Sequence, residues 1–158
     1  MLTTLEFSSA LRTRCFESRI SIDFYSAFIK QNAFEWMSEN IKTGVKVRVV
    51  SRWRLSDLTA NASDLSVYEF CKGREWKFGI DLNLHAKTYV FDNQHVLLGS
   101  SNISRSAFGL SHHSNNELGA AFTPKIEDLS KLDHIRNGVV WLTDELFGKI
   151  EACVNHTL

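Results

Sequence analysis

The chain has 158 residues, 44% hydrophobic and 23% charged, with a single proline and a formal net charge of zero. That length fits one domain and buries a core without disulfides or metals. Neutrality argues against non-specific nucleic-acid binding by the whole surface, and the three scattered cysteines (Cys15, Cys71, Cys153) make neither a disulfide framework nor a zinc pattern.

The first twenty residues are interrupted by charge at Glu6, Arg12, Arg14, Glu17 and Arg19, so they hold no apolar run of signal-peptide length. No run anywhere reaches transmembrane length, and a reducing, cytoplasmic setting is the default expectation. Residues 19–29, "RISIDFYSAFI", are rich in β-branched and aromatic residues and read as a buried strand. "KQNAFEWMSENIKTG" (30–44) has Phe34, Met37 and Ile41 at helical spacing and ends at Gly44, a natural helix stop. "VKVRVVSRW" (45–53) is a second strand, and 55–73 a second helix ending at Gly73. "WKFGIDLN", "HAKTYVFD" and "HVLLGS" then supply short strands, with Asp92-Asn93 forming a tight turn between the last two. "NISRSAFG" is a short helix or turn, "ELGAAFT" (117–123) another strand, and "KIEDLSKLDHIRN" and "GVVWLTDELFGKI" closing helices. The β-α-β opening implies parallel neighbours, so the expected fold is α/β, with a mixed, largely parallel sheet flanked by helices in a single domain.

Charge is uneven along the chain. Residues 42–77 carry eight Lys or Arg against four Asp or Glu, while 117–151 carry seven acids against four bases. The first stretch leaves room for a local basic groove.

The chemistry concentrates in "HAKTYVFDNQHVLLGSSN" (85–102). Strand alternation puts His85 and Lys87 on one face, where they address one ligand together. The apolar "HVLLG" is a buried strand, so Ser100 and Asn102 are held just past its end, at the start of a short helix. An imidazole, an ammonium, a hydroxyl and an amide converging there suit phosphoryl transfer.

The spacing His85-x-Lys87-x4-Asp92-x6-Gly99-Ser100-x-Asn102 resembles the signature of the phospholipase D superfamily. Six fixed positions, each matched at roughly a twentieth frequency, coincide by chance in about one chain in a million. The resemblance implies a phospholipase D-like fold with one motif per chain. It implies that a histidine attacks phosphorus to form a covalent phosphohistidine, while a second histidine, from a second motif, protonates the leaving oxygen and then activates water. Lysines and asparagines hold the non-bridging oxygens, and no metal or other cofactor is needed. Two histidines in opposite protonation states supply base and acid.

This chain carries only one motif. One-motif relatives of this length are small nucleases that dimerise, which implies a homodimer with the active site at the two-fold interface. The family also places an acid on a following strand to orient the histidine, and Glu117 of "NNELGAAF" stands there. Asp92 faces away from His85 at a turn and reads as structural more than chemical. Ser100 and Asn102 are helix caps by themselves and phosphate contacts by family position.

Arg52, Trp53 and Arg54 close a strand at the end where ligands approach parallel sheets. They are candidates for holding a nucleic-acid backbone and stacking a base, with a solvated strand end and a core Trp as the plain alternative. His95 is outside the motif, and "SHHSNN" (111–116) is a polar loop rather than a metal site. The expected activity is a metal-independent endonuclease acting on DNA or RNA. A phospholipase or phosphatidyltransferase is the alternative enzyme, but no interfacial apolar loop or anchor points to a membrane. A non-catalytic dimeric nucleic-acid-binding module is the third reading, disfavoured because His85 and Lys87 are both present.

Overall fold

A computed structural model describes residues 1–158. In chain order the elements are β1 (Leu2–Thr3), α1 (Thr4–Glu17), β2 (Ser21–Ser26), α2 (Gln31–Ser38), β3 (Lys46–Ser51), α3 (Leu55–Thr59), α4 (Ser66–Gly73), β4 (Lys77–Ile80), β5 (Lys87–Phe91), β6 (His95–Gly99), β7 (Leu118–Phe122), α5 (Ile126–Asn137), β8 (Val140–Trp141) and α6 (Asp144–Thr157). The strands form one sheet in the order β1-β7-β6-β5-β2-β3-β4-β8.

The α/β class holds, but the sheet is mostly antiparallel rather than largely parallel. Only β2–β3 and β3–β4 run parallel, because only those pairs are joined by helical crossovers. β5 and β6 are a hairpin whose turn residues, Asp92 and Asn93, both take φ 53°. Positive φ at both central positions matches the turn twist that hairpins favour. β7 returns beside β6, and β5 pairs antiparallel with β2.

Other boundaries also move. The 55–73 helix is split into α3 and α4 at a turn where Asn61 takes φ 58°. The last segment begins with β8, and α6 starts only where the Thr143 hydroxyl accepts from Leu146 N–H. The opening residues form β1 and α1, an element the sequence reading left unassigned.

Helices cover both faces unequally. On one face a large cluster joins Phe7 and Leu11 of α1, Phe34 of α2, Val67 of α4 and Phe147 of α6 to Phe24, Val49, Tyr89 and Leu97 of the sheet. On the other, α5 lays Leu129, Leu132 and Ile135 over Tyr25, Val50, Val90 and Val96. That helix does not reach the outer strands, so Leu98, Leu118 and Phe122 remain 39%, 53% and 38% exposed.

The expected basic groove does not form as one surface. Lys46 and Lys77 begin β3 and β4, at the end of the sheet away from Arg52. Arg48 beside them is tied to the buried Asp23 at 2.6 and 3.0 Å.

Candidate active site

Alternation of strand direction brings the motif residues to one end of the sheet. Lys87 opens β5, with His85 two residues before it and outside the strand that was expected to include it, while Ser100 leaves β6, Glu117 precedes β7, Ser26 ends β2 and Arg52 follows β3. The Lys87 row continues inward through Tyr89 and Phe91, both fully buried, so the core holds the row and its end stays open.

Lys87 Nζ lies 3.3 Å from Nδ1 and 3.4 Å from Nε2 of His85. The ammonium is nearly equidistant from both ring nitrogens, so the contact brings it against the imidazole without selecting one of them. His85 is exposed and Lys87 half-buried. Burial and the nearby Arg52 charge push the Lys87 pKa down from its ordinary value, while the Glu117 charge opposes them.

Asn102 is placed by a bridge, Ile103 pairing with Ile29, and of the short helix or turn expected after it the structure has a series of turns. Phe28 N–H donates to Asn102 Oδ1 at 3.1 Å. That donor fixes the amide orientation, with Oδ1 inward and the two Nδ2 protons free for a ligand. Ser26 shares the anchorage, its hydroxyl donating to Phe28 C=O at 2.8 Å and accepting from Ile103 N–H at 3.2 Å.

Ser100 is occupied differently from the expectation. Its hydroxyl donates to Glu117 Oε1 at 2.7 Å and accepts from Leu118 N–H at 3.1 Å. A hydroxyl has one proton, so in this arrangement Ser100 braces β6 against β7 and has no donor for phosphate. The preceding Gly99 is required by packing, since a Cβ there would meet Leu118 C=O at 2.4 Å. Glu117 also accepts from Asn115 Nδ2 at 3.2 Å and makes no hydrogen bond with His85 of its own chain. Thr4, at the start of α1, stitches this loop down: its hydroxyl donates to Asn115 C=O at 2.7 Å and accepts from Glu117 N–H at 3.0 Å.

Asp92 is far from the chemistry, five residues beyond Lys87 along β5, roughly 17 Å. Its carboxylate accepts main-chain N–H groups from Arg19, Ile20 and Ser21 at 3.0, 2.7 and 3.0 Å. Partial burial opposes ionisation, but these amides hold its pKa below the ordinary carboxylate value. Asp92 therefore clamps the entry to β2.

The Arg52–Trp53–Arg54 group divides. Trp53 is 3% exposed, with its ring 4.7 Å from Phe78 and 6.4 Å from Phe147, so it is a core residue and cannot stack a base. Arg54 is exposed and donates to Leu82 C=O at 2.8 Å. Arg52 stays at the site end, paired with Asp57. Their hydrogen bond holds Asp57 below and Arg52 above the ordinary values. His112 and His113 lie in the exposed loop before Glu117, and no group of three His, Cys, Asp or Glu residues is arranged to hold a metal ion.

Thr4, Ser26, Phe28 and Asn115 support the site without any spacing signal in the sequence. An apolar groove of about 440 Å³ lies elsewhere, beside α1 and α2, lined by Leu5, Phe16, Trp36 and Phe108. His85 stands exposed at its edge of the sheet.

Residues 14–133 match the family model described as cardiolipin synthase, PLD-like domain. No curated protein matches the chain. Among solved structures, Nuc from Salmonella typhimurium, described as a phospholipase D family member, superposes with TM-score 0.68 at 19% identity, over 90% of this chain and 96% of that one. NucT from Helicobacter pylori gives 0.65 at 17% identity, over 82% and 85%. Phosphatidylserine synthase from Haemophilus influenzae gives 0.71 at 16% identity, over 96% of this chain but 41% of that one. The family model spans most of the chain and includes the whole His85–Asn102 motif; the chain belongs to the phospholipase D superfamily, in its PLD-like domain family.

Proposed function

We propose that this phospholipase D-like chain is a metal-independent endonuclease that works as a homodimer through a covalent phosphohistidine. The observation that carries the reading is the open half-site: His85 in contact with Lys87 at 3.3 Å, with the free amide protons of Asn102 at the same edge. A His85 ring nitrogen attacks phosphorus. The phosphorus–oxygen bond breaks as His85 of a second copy protonates the leaving oxygen. That second histidine then takes a proton from water, which attacks the phosphohistidine and frees His85. Lys87 and Asn102 hold the non-bridging oxygens. Glu117 contributes the negative charge that favours the protonated Lys87.

Two observations support a shared site. The chain matches nearly the whole of Nuc but less than half of the phosphatidylserine synthase, as expected of a one-motif unit. Leu98 and Leu118 are exposed on the α5 face of the sheet, opposite the Lys87 row but toward the same sheet end, an apolar surface for a second copy to bury. The cytoplasm is the proposed setting, supported by the three free cysteines.

The phospholipid-directed alternative draws on the fold likeness to phosphatidylserine synthase. The two are separated by giving the protein plasmid DNA, single-stranded DNA, RNA and phospholipid vesicles in EDTA. We expect nucleic-acid cleavage with a bell-shaped pH profile. Cleavage of lipid alone, or of nothing, overturns the endonuclease reading.

A further inference from the structure

We propose that Arg52 is a preorganised anchor for a phosphate flanking the one that is cleaved, so that the half-site reads a chain of phosphodiesters rather than a single one. This inference rests on the endonuclease reading above and names the substrate feature that the same site recognises.

The position follows from strand register. Lys87 lies opposite Ser26 on β2, and Tyr25 lies opposite Val50 on β3. Arg52 thus leaves the sheet two strands from Lys87, about 10 Å across. Its side chain is not a free surface arginine. Nε and Nη2 donate to both Asp57 oxygens at 2.8 and 2.7 Å, and the guanidinium stacks 4.8 Å over the Phe28 ring. The fork is therefore fixed before any ligand arrives, with Nη1 free of the Asp57 contacts and the side chain 17% exposed.

Two further features give this arrangement a ligand-directed reading. The chain turns at Trp53, which takes φ 44°, a conformation bulky residues avoid. Burial of its indole holds that strained turn immediately beside Arg52, and strain of this kind gathers at binding sites. Phe28 also links the two sides: its ring supports Arg52 while its N–H fixes Asn102. One short loop thus sets both the amide facing the cleaved phosphate and the cation beside it. The Arg52 charge is felt at Lys87, whose pKa it helps to lower, so the two cations address the same end of the sheet.

The test compares kcat/KM for a single-stranded DNA decamer and for bis(p-nitrophenyl) phosphate, which has one phosphodiester. Arg52→Gln is expected to lower the decamer-to-ester ratio about tenfold and to flatten the log–log salt dependence on the decamer by about 0.7, one phosphate contact on a single strand. Arg52→Lys, which keeps charge but loses the fork, should fall between. Because Arg52→Gln leaves Asp57 buried without its partner, the double variant Arg52→Gln, Asp57→Asn is measured beside it and should show the same ratio. Equal loss on both substrates, or an unchanged ratio in the folded variants, overturns the inference while leaving the endonuclease reading standing. A wild-type protein that cuts no nucleic acid overturns both.

Discussion

Asp92→Asn separates a structural carboxylate from a catalytic one. Asp92 accepts from the amides of Arg19, Ile20 and Ser21, and its own N–H returns to Ser21 C=O at 2.7 Å. Hydrogen bonds to a charged acceptor contribute about 1.5–3 kcal/mol each. Arg19 and Ile20 are exposed, so water replaces much of what they lose, and Ser21 is half-buried. Asparagine keeps one acceptor oxygen and tolerates the left-handed backbone of φ 53°. The expected loss is therefore about 1–2 kcal/mol, below the sum of three bonds. For a chain of this size that lowers Tm by roughly 3–6 °C.

The pH dependence gives the signature. The Asp92 pKa is lower in the folded protein, so its stabilisation is complete above the unfolded value of about 3.9 and fades as pH falls through the folded value. Thermal melts of wild type and Asp92→Asn should differ at pH 7 and converge in acid, with the variant's turnover at 25 °C within about twofold of wild type, the scale of a change that leaves the transition state alone. A large loss of turnover in a folded variant, or a stability gap that persists below the folded pKa, refutes the clamp.

Asn102→Asp keeps an acceptor for Phe28 N–H but replaces the amide protons with negative charge. It should fold and lose about 10²–10³ in kcat, the scale of one removed oxyanion donor, measured by single-turnover cleavage. Trp53→Ala should cost about 3–5 kcal/mol in denaturant unfolding, as a core truncation does; a small stability change with weakened nucleic-acid binding would restore the stacking role. Leu118 is 53% exposed in the single chain. Leu118→Glu should therefore leave the monomer's stability within about 0.5 kcal/mol while abolishing the dimer in sedimentation and the cleavage with it.

Much of the site was legible because it is local. Two-residue spacing brings His85 against Lys87, although His85 itself precedes β5, and Asp92-Asn93 announces the hairpin that returns Ser100 to the same end. What stayed hidden depends on distant partners. Strand order places β5 between β6 and β2, and nothing in "HAKTYVFD" says which neighbour lies beside it. The parallel estimate extended the β2–α2–β3 crossover to strands that lack one. Trp53 between two arginines looks solvent-facing until Phe78 and Phe147 enclose it. The Ser100–Glu117 bond spans a strand ladder, and the Thr4 stitch spans nearly the whole chain. In α1, Phe7, Leu11 and Cys15 recur every fourth residue, but Leu5 and Phe16 are exposed at 62% and 56% and blur the helical stripe.

The central claim is that His85 carries the phosphoryl group. The direct measurement is rapid acid-free quenching of cleavage on a single-stranded DNA with radiolabelled backbone phosphates, in EDTA, followed by peptide mapping. We predict an acid-labile label on the peptide containing His85, absent from His85→Ala, which still dimerises but does not cut. Cleavage with no labelled protein, label on another residue, or cutting by His85→Ala would contradict the account.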